Sequence, residues 1–207
     1  MALPDAAAVE RTLRSIPGYG PLFRQAFPDD PDPISFDHMA LAIAAFERGL
    51  LTPSPFDAFL AGSDDALDVQ QKRGLATFID TGCITCHNGT LIGGNTYQRL
   101  GAVHVYETED PGRFKVTGNE ADRFVFKVPS LRNAAKTGPW FHDGSVSPLD
   151  EAVRLMAWHQ LGVKLSDEQI ADVVAFLGSL TGEVDAAYTA MPKLPASGPD
   201  TPKPDPS

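Results

Sequence analysis

The sequence predicts a mainly α-helical fold with long loops. Apolar residues recur at helical spacing in several segments, and capping residues, prolines and glycines mark where those segments begin and end. A chain of 207 residues with 43% hydrophobic composition is long enough to bury a core. Together these observations predict one or two small helical domains.

The sequence pattern of the N-terminal part of the chain predicts three helices, with proline residues at the breaks between them. They cover residues 6–16, 22–27 and 36–50, and an acidic, proline-rich loop precedes the third. The third helix is amphipathic, because its apolar residues recur at spacings of four, three and four: Met39, Ile43, Phe46 and Leu50. Core packing is therefore the expected role of Met39.

Three later helices have clear start signals. Asp68 with Gln71, and Ser166 with Gln169, form capping boxes. Ser147-Pro148 places a capping residue before a proline at the first helical position. The apolar faces expected for these helices are Leu75, Phe78 and Ile79, then Leu149, Val153 and Met156, then Ile170, Val173, Val174 and Leu177.

The remaining segments predict irregular structure. Gly82 ends the helix that begins after Asp68. Residues 89–122 have little helical periodicity and many glycines, and a long ordered loop of this kind usually has a function. From Met191 onward the chain is rich in proline, serine and aspartate, which predicts a tail that is disordered or draped over the surface.

Cys83-Ile84-Thr85-Cys86-His87 is a C-x-x-C-H motif, and its cysteines are the only two in the chain. This spacing is the attachment signature of c-type haem, since each thiol can add to a haem vinyl group while the adjacent imidazole binds the iron. A zinc site would need two further Cys or His ligands, and there is no second cysteine pair. A redox-active C-x-x-C usually lies beside a βαβ pattern, which is absent. The motif therefore predicts a cytochrome c-like domain around one covalent haem c that transfers electrons.

The second axial ligand must be one of the remaining histidines or methionines: His38, His104, His142, His159, Met39, Met156 or Met191. Met191 lies in the proline-rich tail, and Met39 fits an apolar stripe. Met156 also lies on an apolar stripe, so a core methionine remains an alternative for it. It lies C-terminal to the motif beyond the long loop, as methionine ligands of c-type cytochromes usually do. His/Met ligation would raise the reduction potential and close the iron to substrate.

Charge and hydropathy limit the partners and the location. The formal net charge of −10 argues against nucleic-acid binding and suits either solubility or docking to a small basic electron carrier. No apolar run approaches the roughly 18 residues that span a membrane. The N-terminus lacks the regions of a secretory signal, although c-type haem is attached outside the cytoplasm. We therefore expect that a signal was removed or that the chain is a piece of a longer protein.

Several blocks of sequence follow one another in a pattern that goes beyond the haem motif. They are Phe46-Glu47-Arg48, Thr52-Pro53, Phe56-Asp57, Gly82 to Gly89, Phe126 to Asn133, Thr137 to Ser145, and Met156 to Gly162. In order and spacing, from residue 9 to about 180, they resemble bacterial dihaem cytochrome c peroxidases. The related MauG-type enzymes have tyrosine in place of this methionine, so Met156 favours the peroxidase branch.

The resemblance implies a periplasmic enzyme of two domains, each with a haem, that reduces hydrogen peroxide to water. The C-terminal haem, with Met156 as distal ligand, would receive electrons from a small cytochrome c or copper protein. Residues 1–66 would be the end of the peroxidatic domain, 67–185 the electron-receiving haem domain, and 186–207 a proline-rich tail. A homodimer is a possible assembly. Family members have a second C-x-x-C-H upstream, so this chain is expected to begin partway through the peroxidatic domain.

The resemblance also assigns roles to individual residues. Glu47 would be the acidic residue above the peroxide-binding haem that assists proton transfer, although a solvated Glu paired with Arg48 is the plainer interpretation. Backbone carbonyls of Thr137 and Pro139 would bind calcium, with a simple turn as the alternative. Phe27 occupies the place where some members have an inter-haem tryptophan, so no aromatic relay is assigned there.

Three further residues have open interpretations. His142 could hydrogen-bond near a haem edge or cap a loop. Arg132 and Lys127 could neutralise haem propionates, or be surface charges. The alternative to a peroxidase is a monohaem c-type cytochrome that acts only in electron transfer, because this sequence has one C-x-x-C-H motif.

Overall fold

A computed structural model of the chain describes residues 3–203. In this range the structure has eight α-helices and one pair of short antiparallel strands, which confirms the predicted mainly α-helical fold. The chain divides into two compact units. One comprises the segment up to Leu51 together with the segment from Val184 onward, and the other comprises Thr52–Glu183.

The first unit contains three helices: α1 (Ala6–Arg14), α2 (Tyr19–Ala26) and α3 (Phe36–Gly49). Asp5 caps α1 by accepting a hydrogen bond from the Ala8 N–H at 2.7 Å, and Ser35 caps α3 in the same way. The helix expected over residues 22–27 begins earlier, at Tyr19, directly after the Pro17-Gly18 turn.

The apolar stripe predicted on α3 is not a buried face. No residue of this helix is buried, and Ile43 and Phe46 are 45% and 49% exposed. The expectation of core packing is therefore not met for the stripe as a whole. Helical spacing predicts which side chains share a face, but it does not predict whether another element covers that face.

The C-terminal segment follows the surface of the first unit, which is the second of the two predicted alternatives for the tail. The Tyr188 hydroxyl donates to the Phe46 carbonyl at 2.9 Å, and the two rings stack with centroids 5.3 Å apart. Farther along, the Thr201 hydroxyl donates to the Ser15 carbonyl at 2.9 Å. Residues 204–207 of the predicted tail lie outside the described residues.

The second unit contains the remaining elements. They are α4 (Pro55–Leu60), α5 (Val69–Asp80), β1 (Tyr97–Arg99), α6 (Phe114–Thr117), β2 (Val125–Lys127), α7 (Leu149–Leu161) and α8 (Asp167–Ser179). The strands pair antiparallel with Gln98 opposite Phe126. Most of residues 89–122 is irregular, as predicted, apart from β1, α6 and a short 3-10 turn.

The predicted helix starts are correct for α5 and α8 and wrong in detail for α7. Both sides of the capping box are formed at Asp68 and at Ser166. Pro148, by contrast, is itself the N-cap of α7 in extended conformation, so the helix starts one residue later at Leu149. Two acidic residues in its first turn stabilise the helix, because their negative charges lie near the positive end of the helix dipole.

The core of the second unit lies around the packed pair α5 and α8. Its buried members are Phe56, Leu67, Phe78, Ile92, Val173, Phe176, Leu177 and Leu180. The predicted stripe of α8 is largely confirmed, whereas Ile79 of α5 is 45% exposed. Gly74 permits the close approach, because a side chain there would overlap the backbone carbonyl of Asp172.

The division between the units lies after Leu51, whereas the sequence pattern placed a boundary after residue 66. Residues 52–66 belong to the second unit because Phe56 is in its core. Asp57 is also held there by a two-pronged ion pair with Arg132.

Candidate haem site

The C-x-x-C-H motif folds as a single tight turn at the end of α5. Gly82, with φ of 93°, ends the helix, and Cys83–Thr85 form a 3-10 turn. The N–H groups of Cys86 and His87 both donate to the Cys83 carbonyl, at 3.3 and 3.0 Å. Side chains three residues apart on a 3-10 turn lie on the same side, so both thiols project from one face.

The two thiols are unpaired and partly buried. Cys83 packs against the core of the unit, and its sulfur lies 3.4 Å from the Thr81 hydroxyl. Burial raises the pKa of the Cys83 thiol, and the Thr81 hydroxyl offsets part of that effect. A redox-active C-x-x-C needs a lowered thiol pKa, so this environment disfavours that alternative.

His87 points into the protein with its Nδ1 atom buried. Burial lowers the pKa of the imidazole, while the nearby carbonyl groups of Ile92 and Pro129 act in the opposite direction. Neither carbonyl meets Nδ1 with the geometry of a hydrogen bond. The pKa shift favours the neutral form of His87, which is the form that binds a metal.

Two loop segments close around His87. The Gly94 N–H donates to the Val128 carbonyl at 2.9 Å, and the Leu131 N–H donates to the Ile92 carbonyl at 3.2 Å. Gly93 lies at the closest point, because a side chain there would overlap the Pro129 carbonyl and lie 3.2 Å from His87 Nδ1. The loops therefore bring backbone carbonyls next to the imidazole.

These residues fit a covalently bound haem c. Two thiols project from one turn, and the adjacent imidazole is buried, with one ring nitrogen lacking a hydrogen-bond partner among the described residues. Met156 lies on α7 and is partly buried, in the helix that also contributes Leu149 and Val153 to the core surroundings. Of the other methionines, Met191 is 89% exposed.

Arg132, which the sequence analysis allowed as a cation for a haem propionate, forms an ion pair within the protein. Its guanidinium donates two hydrogen bonds to Asp57, at 2.6 and 2.7 Å, and a third to the Thr90 carbonyl at 2.9 Å. With its side chain 14% exposed, Arg132 is held in this network, which makes it neither a free cation nor a surface charge. Lys127 is exposed at the end of β2.

His142 connects two loops. Its Nε2 atom lies 3.0 Å from the Thr108 hydroxyl, and its ring lies against Phe126 with centroids 4.3 Å apart. Its Nδ1 atom is buried without a partner among the described residues. A cavity of about 690 Å³ lies beside His142 and Tyr106, and none of Cys83, Cys86, His87 and Met156 lines it.

The other candidate ligands have their own contacts. His159 Nδ1 lies 2.9 Å from the His104 carbonyl, and the His104 ring stacks on Trp158 at 3.8 Å. In the first unit, the His38 ring stacks on Phe27 at 3.9 Å, and its Nδ1 lies 2.9 Å from the Pro33 carbonyl.

Glu47, Thr137 and Pro139, to which the resemblance gives roles, lie in exposed positions. Glu47 is exposed near the C-terminal end of α3, and among the described residues it has no ion-pair partner, including Arg48. Thr137 and Pro139 are exposed in the turn before Trp140. Neither of their carbonyl groups accepts a hydrogen bond from a protein donor within residues 3–203.

Comparison with known proteins assigns the chain to a family. The sequence profile of the family "Di-haem cytochrome c peroxidase" matches residues 1–65, and that of the family "Cytochrome c" matches residues 71–181. This chain belongs to the cytochrome c family, and its first 65 residues are similar to the di-haem cytochrome c peroxidases. The C-x-x-C-H turn and Met156 both lie within the cytochrome c match.

Named relatives extend the similarity over nearly the whole chain. The chain is 48% identical to cytochrome c551 peroxidase of Pseudomonas aeruginosa over 202 residues, covering 95% of this chain and 58% of that protein. It is 34% identical to the methylamine utilization protein MauG of Methylorubrum extorquens, covering 90% of this chain and 55% of that one. The chain thus spans somewhat more than half the length of these relatives.

A solved structure has the same fold. It is that of a MauG-like protein associated with microbial copper homeostasis, with a TM-score of 0.69 and 28% identity, covering 86% of this chain and 62% of that one. No helix within residues 3–203 is long and apolar enough to cross a membrane.

Proposed function

We propose that this chain holds one covalent haem c through Cys83, Cys86 and His87, with Met156 as the second iron ligand. The observation that carries the proposal is the turn that presents both thiols on one face next to a buried imidazole. A haem held in this way supplies a one-electron iron couple, and His/Met ligation favours a high reduction potential.

We further propose that the chain is the electron-receiving portion of a cytochrome c peroxidase. Electrons would arrive from a small cytochrome c or copper protein and pass to a second haem outside this sequence, where hydrogen peroxide is reduced to water. The identity to cytochrome c551 peroxidase over nearly the whole chain supports this role. A periplasmic location and a homodimer belong to the same proposal.

Two further site assignments depend on the family pattern. Glu47, exposed on α3, would move a proton to or from peroxide bound at the second haem. The carbonyl oxygens of Thr137 and Pro139 would contribute to a calcium site, and carbonyl oxygen is a ligand that calcium prefers. The absence of a protein donor to either carbonyl within residues 3–203 supports this assignment.

A monohaem cytochrome that acts only in electron transfer is the second candidate. The observation that favours it is the cysteine content, because two cysteines can attach a single haem c. In that case the chain would exchange electrons with its partners and have no peroxide chemistry of its own.

Steady-state peroxide turnover with a reduced donor cytochrome separates the two candidates. We expect this chain alone to accept electrons from the donor without turning over peroxide. The native protein should turn over peroxide if it also contains the second haem, and Glu47→Gln should then lower that rate. A native protein with one haem and no turnover would establish the electron-transfer cytochrome instead.

A further inference from the structure

The loop of residues 99–104 leaves the end of β1 and is held by one side chain of α7. Gln160 Oε1 accepts hydrogen bonds from the N–H groups of Gly101, at 2.6 Å, and Ala102, at 3.2 Å. Gln160 Nε2 donates to the Arg99 carbonyl at 3.1 Å. A glutamine side chain has one acceptor and one donor group, and here both bind the backbone of the same loop.

The backbone of α7 holds the next part of this loop. The His159 carbonyl accepts hydrogen bonds from the N–H groups of Val103 and His104, at 3.0 and 3.1 Å. Carbonyl groups in the last turn of a helix have no partner within the helix, so the loop supplies the donors for this one. The His159 ring adds a further contact, because its Nδ1 atom lies 2.9 Å from the His104 carbonyl.

Gly162 allows the loop to approach the end of α7. It is the C-cap of the helix with φ of 69°, and its N–H donates to the Trp158 carbonyl at 3.1 Å. A side chain at this position would come within 2.8 Å of the Val103 side chain. The end of α7 and the loop therefore form one continuous packed contact.

Met156 lies on the helix face that this loop contacts. His159 and Gln160 follow Met156 by three and four residues within α7, and residues at these spacings are neighbours on one helix face. Long side chains of a helix lean toward its N-terminus. The Gln160 amide, with the loop bound to it, therefore lies over the turn that contains Met156.

We propose that Gln160 is a positioning residue for Met156. By holding the loop of residues 99–104 over this turn, it keeps the Met156 thioether in place as an iron ligand. Another ligand can take this position only when the Met156 side chain moves away, and the three backbone contacts of Gln160 oppose that movement. This inference rests on the proposed haem attachment and on Met156 as the second ligand.

The test measures how easily imidazole replaces Met156 in the oxidised, haem-loaded chain. Gln160→Leu removes all three contacts and leaves the net charge unchanged. Titration with imidazole, followed by the loss of the far-red absorption band, gives the dissociation constant. We expect imidazole to bind Gln160→Leu about tenfold more tightly than wild type, because three hydrogen bonds no longer oppose the movement of Met156.

Gln169→Leu is the matched control. Gln169 Oε1 also accepts a hydrogen bond from a backbone N–H, that of Ser166 at 2.9 Å, but at the start of α8. Both substitutions should lower the unfolding temperature, whereas only Gln160→Leu should bind imidazole more tightly. Unchanged affinity in Gln160→Leu, or equal tightening in the two variants, would overturn the proposal.

Met156→Ala distinguishes failure of this inference from failure of the proposed function. Without the thioether, imidazole should bind more tightly than in Gln160→Leu, and adding Gln160→Leu to Met156→Ala should have no further effect. Further tightening in the double variant would show that Gln160 acts independently of Met156 and would contradict the positioning role. Wild-type affinity in Met156→Ala would instead contradict Met156 as the ligand.

Gln160→Glu provides a second variant if Gln160→Leu does not fold. It keeps the acceptor for the Gly101 and Ala102 N–H groups and loses the donor to the Arg99 carbonyl. We therefore expect tighter imidazole binding than in wild type, by less than in Gln160→Leu. An affinity equal to that of wild type would count against the proposal.

Discussion

At the scale of single residues, the two proposed iron ligands would determine what this chain can do. The buried imidazole of His87 and the partly buried thioether of Met156 differ in how they tune an iron centre, and the thioether favours the reduced state. With Met156 as the second ligand, the iron would have no open place for substrate. Electron transfer without bond chemistry is therefore the role that fits the proposed ligand pair.

Met156→His should lower the midpoint potential and weaken the far-red absorption band between sulfur and iron. Replacing a thioether by imidazole removes the ligand that stabilises ferrous iron, and axial ligands span about 0.8 V of potential, so we expect a shift on the order of 0.1 V. Redox titration and absorption spectroscopy measure both. Met39→His, on α3, is the control and should change neither. An unaltered potential and band in Met156→His would exclude Met156 as a ligand.

Asp57→Asn should destabilise the chain at neutral pH, by an amount that becomes smaller in acid. Arg132 and Ser54 hold the pKa of Asp57 well below its usual range, so the carboxylate stabilises the fold above the unfolded pKa near 4. That contribution begins to fall as the pH drops below about 4, and it is lost as the pH falls through the lowered pKa of the folded state. We expect a loss of about 1–3 kcal/mol at pH 7, measured by urea unfolding. A difference from wild type that is the same at pH 7 and pH 3 would contradict this account.

At the scale of elements, the contact between α5 and α8 organises the core next to the haem motif. Gly74 and the Asp172 backbone meet without room for a side chain, and Phe78 and Phe176 pack at 5.3 Å. Because α5 leads directly into the C-x-x-C-H turn, its position on α8 also fixes the turn.

Gly74→Ala should destabilise the chain by about 1–3 kcal/mol, because the new methyl group would overlap the Asp172 carbonyl and force the helices apart. Gly178→Ala in α8 is the matched control. A methyl group there meets nothing within 4 Å, so the usual preference of helices for alanine should stabilise by about 0.5 kcal/mol. Thermal unfolding measures both. Equal effects of the two substitutions would show that close helix packing is not the cause.

The C-terminal segment should stabilise the end of α3 in the first unit. Tyr188→Phe removes the hydrogen bond to the Phe46 carbonyl but keeps the ring stack, and should cost about 0.5–1 kcal/mol. Hydrogen exchange should become faster in the last turn of α3, near Glu47. Thr201→Val, which removes the contact with Ser15, is the control and should leave that turn unchanged. Unchanged exchange in Tyr188→Phe would show that the contact does not order the helix end.

Local sequence signals predicted the helices, because the start and the end of a helix depend on residues that are close together in the sequence. The capping boxes at Asp68 and Ser166 and the glycine that ends α5 are of this kind. The Arg132–Asp57 pair could not be derived in this way, because its partners are 75 residues apart. The exposure of the α3 stripe was missed for the same reason, since burial depends on what packs against a helix.

At the scale of the whole molecule, two compact units combine two family patterns. The di-haem cytochrome c peroxidase match ends at residue 65 and the cytochrome c match begins at residue 71, whereas the compact units divide after Leu51. Residues 52–65 thus match the di-haem cytochrome c peroxidase family in sequence. In the structure they belong to the second unit, together with the residues that match the cytochrome c family. This arrangement makes Asp57 and Phe56 contributors to the haem-bearing unit.

The stoichiometry of covalently attached haem tests the central claim most directly. The chain should be produced with a c-type maturation system, denatured, and extracted with acidified organic solvent before its haem is quantified as the pyridine complex. We predict one haem per chain that stays with the protein, and none retained when both Cys83 and Cys86 are replaced by alanine. Haem that is fully extracted from the wild-type chain, or an absence of haem, would contradict the account.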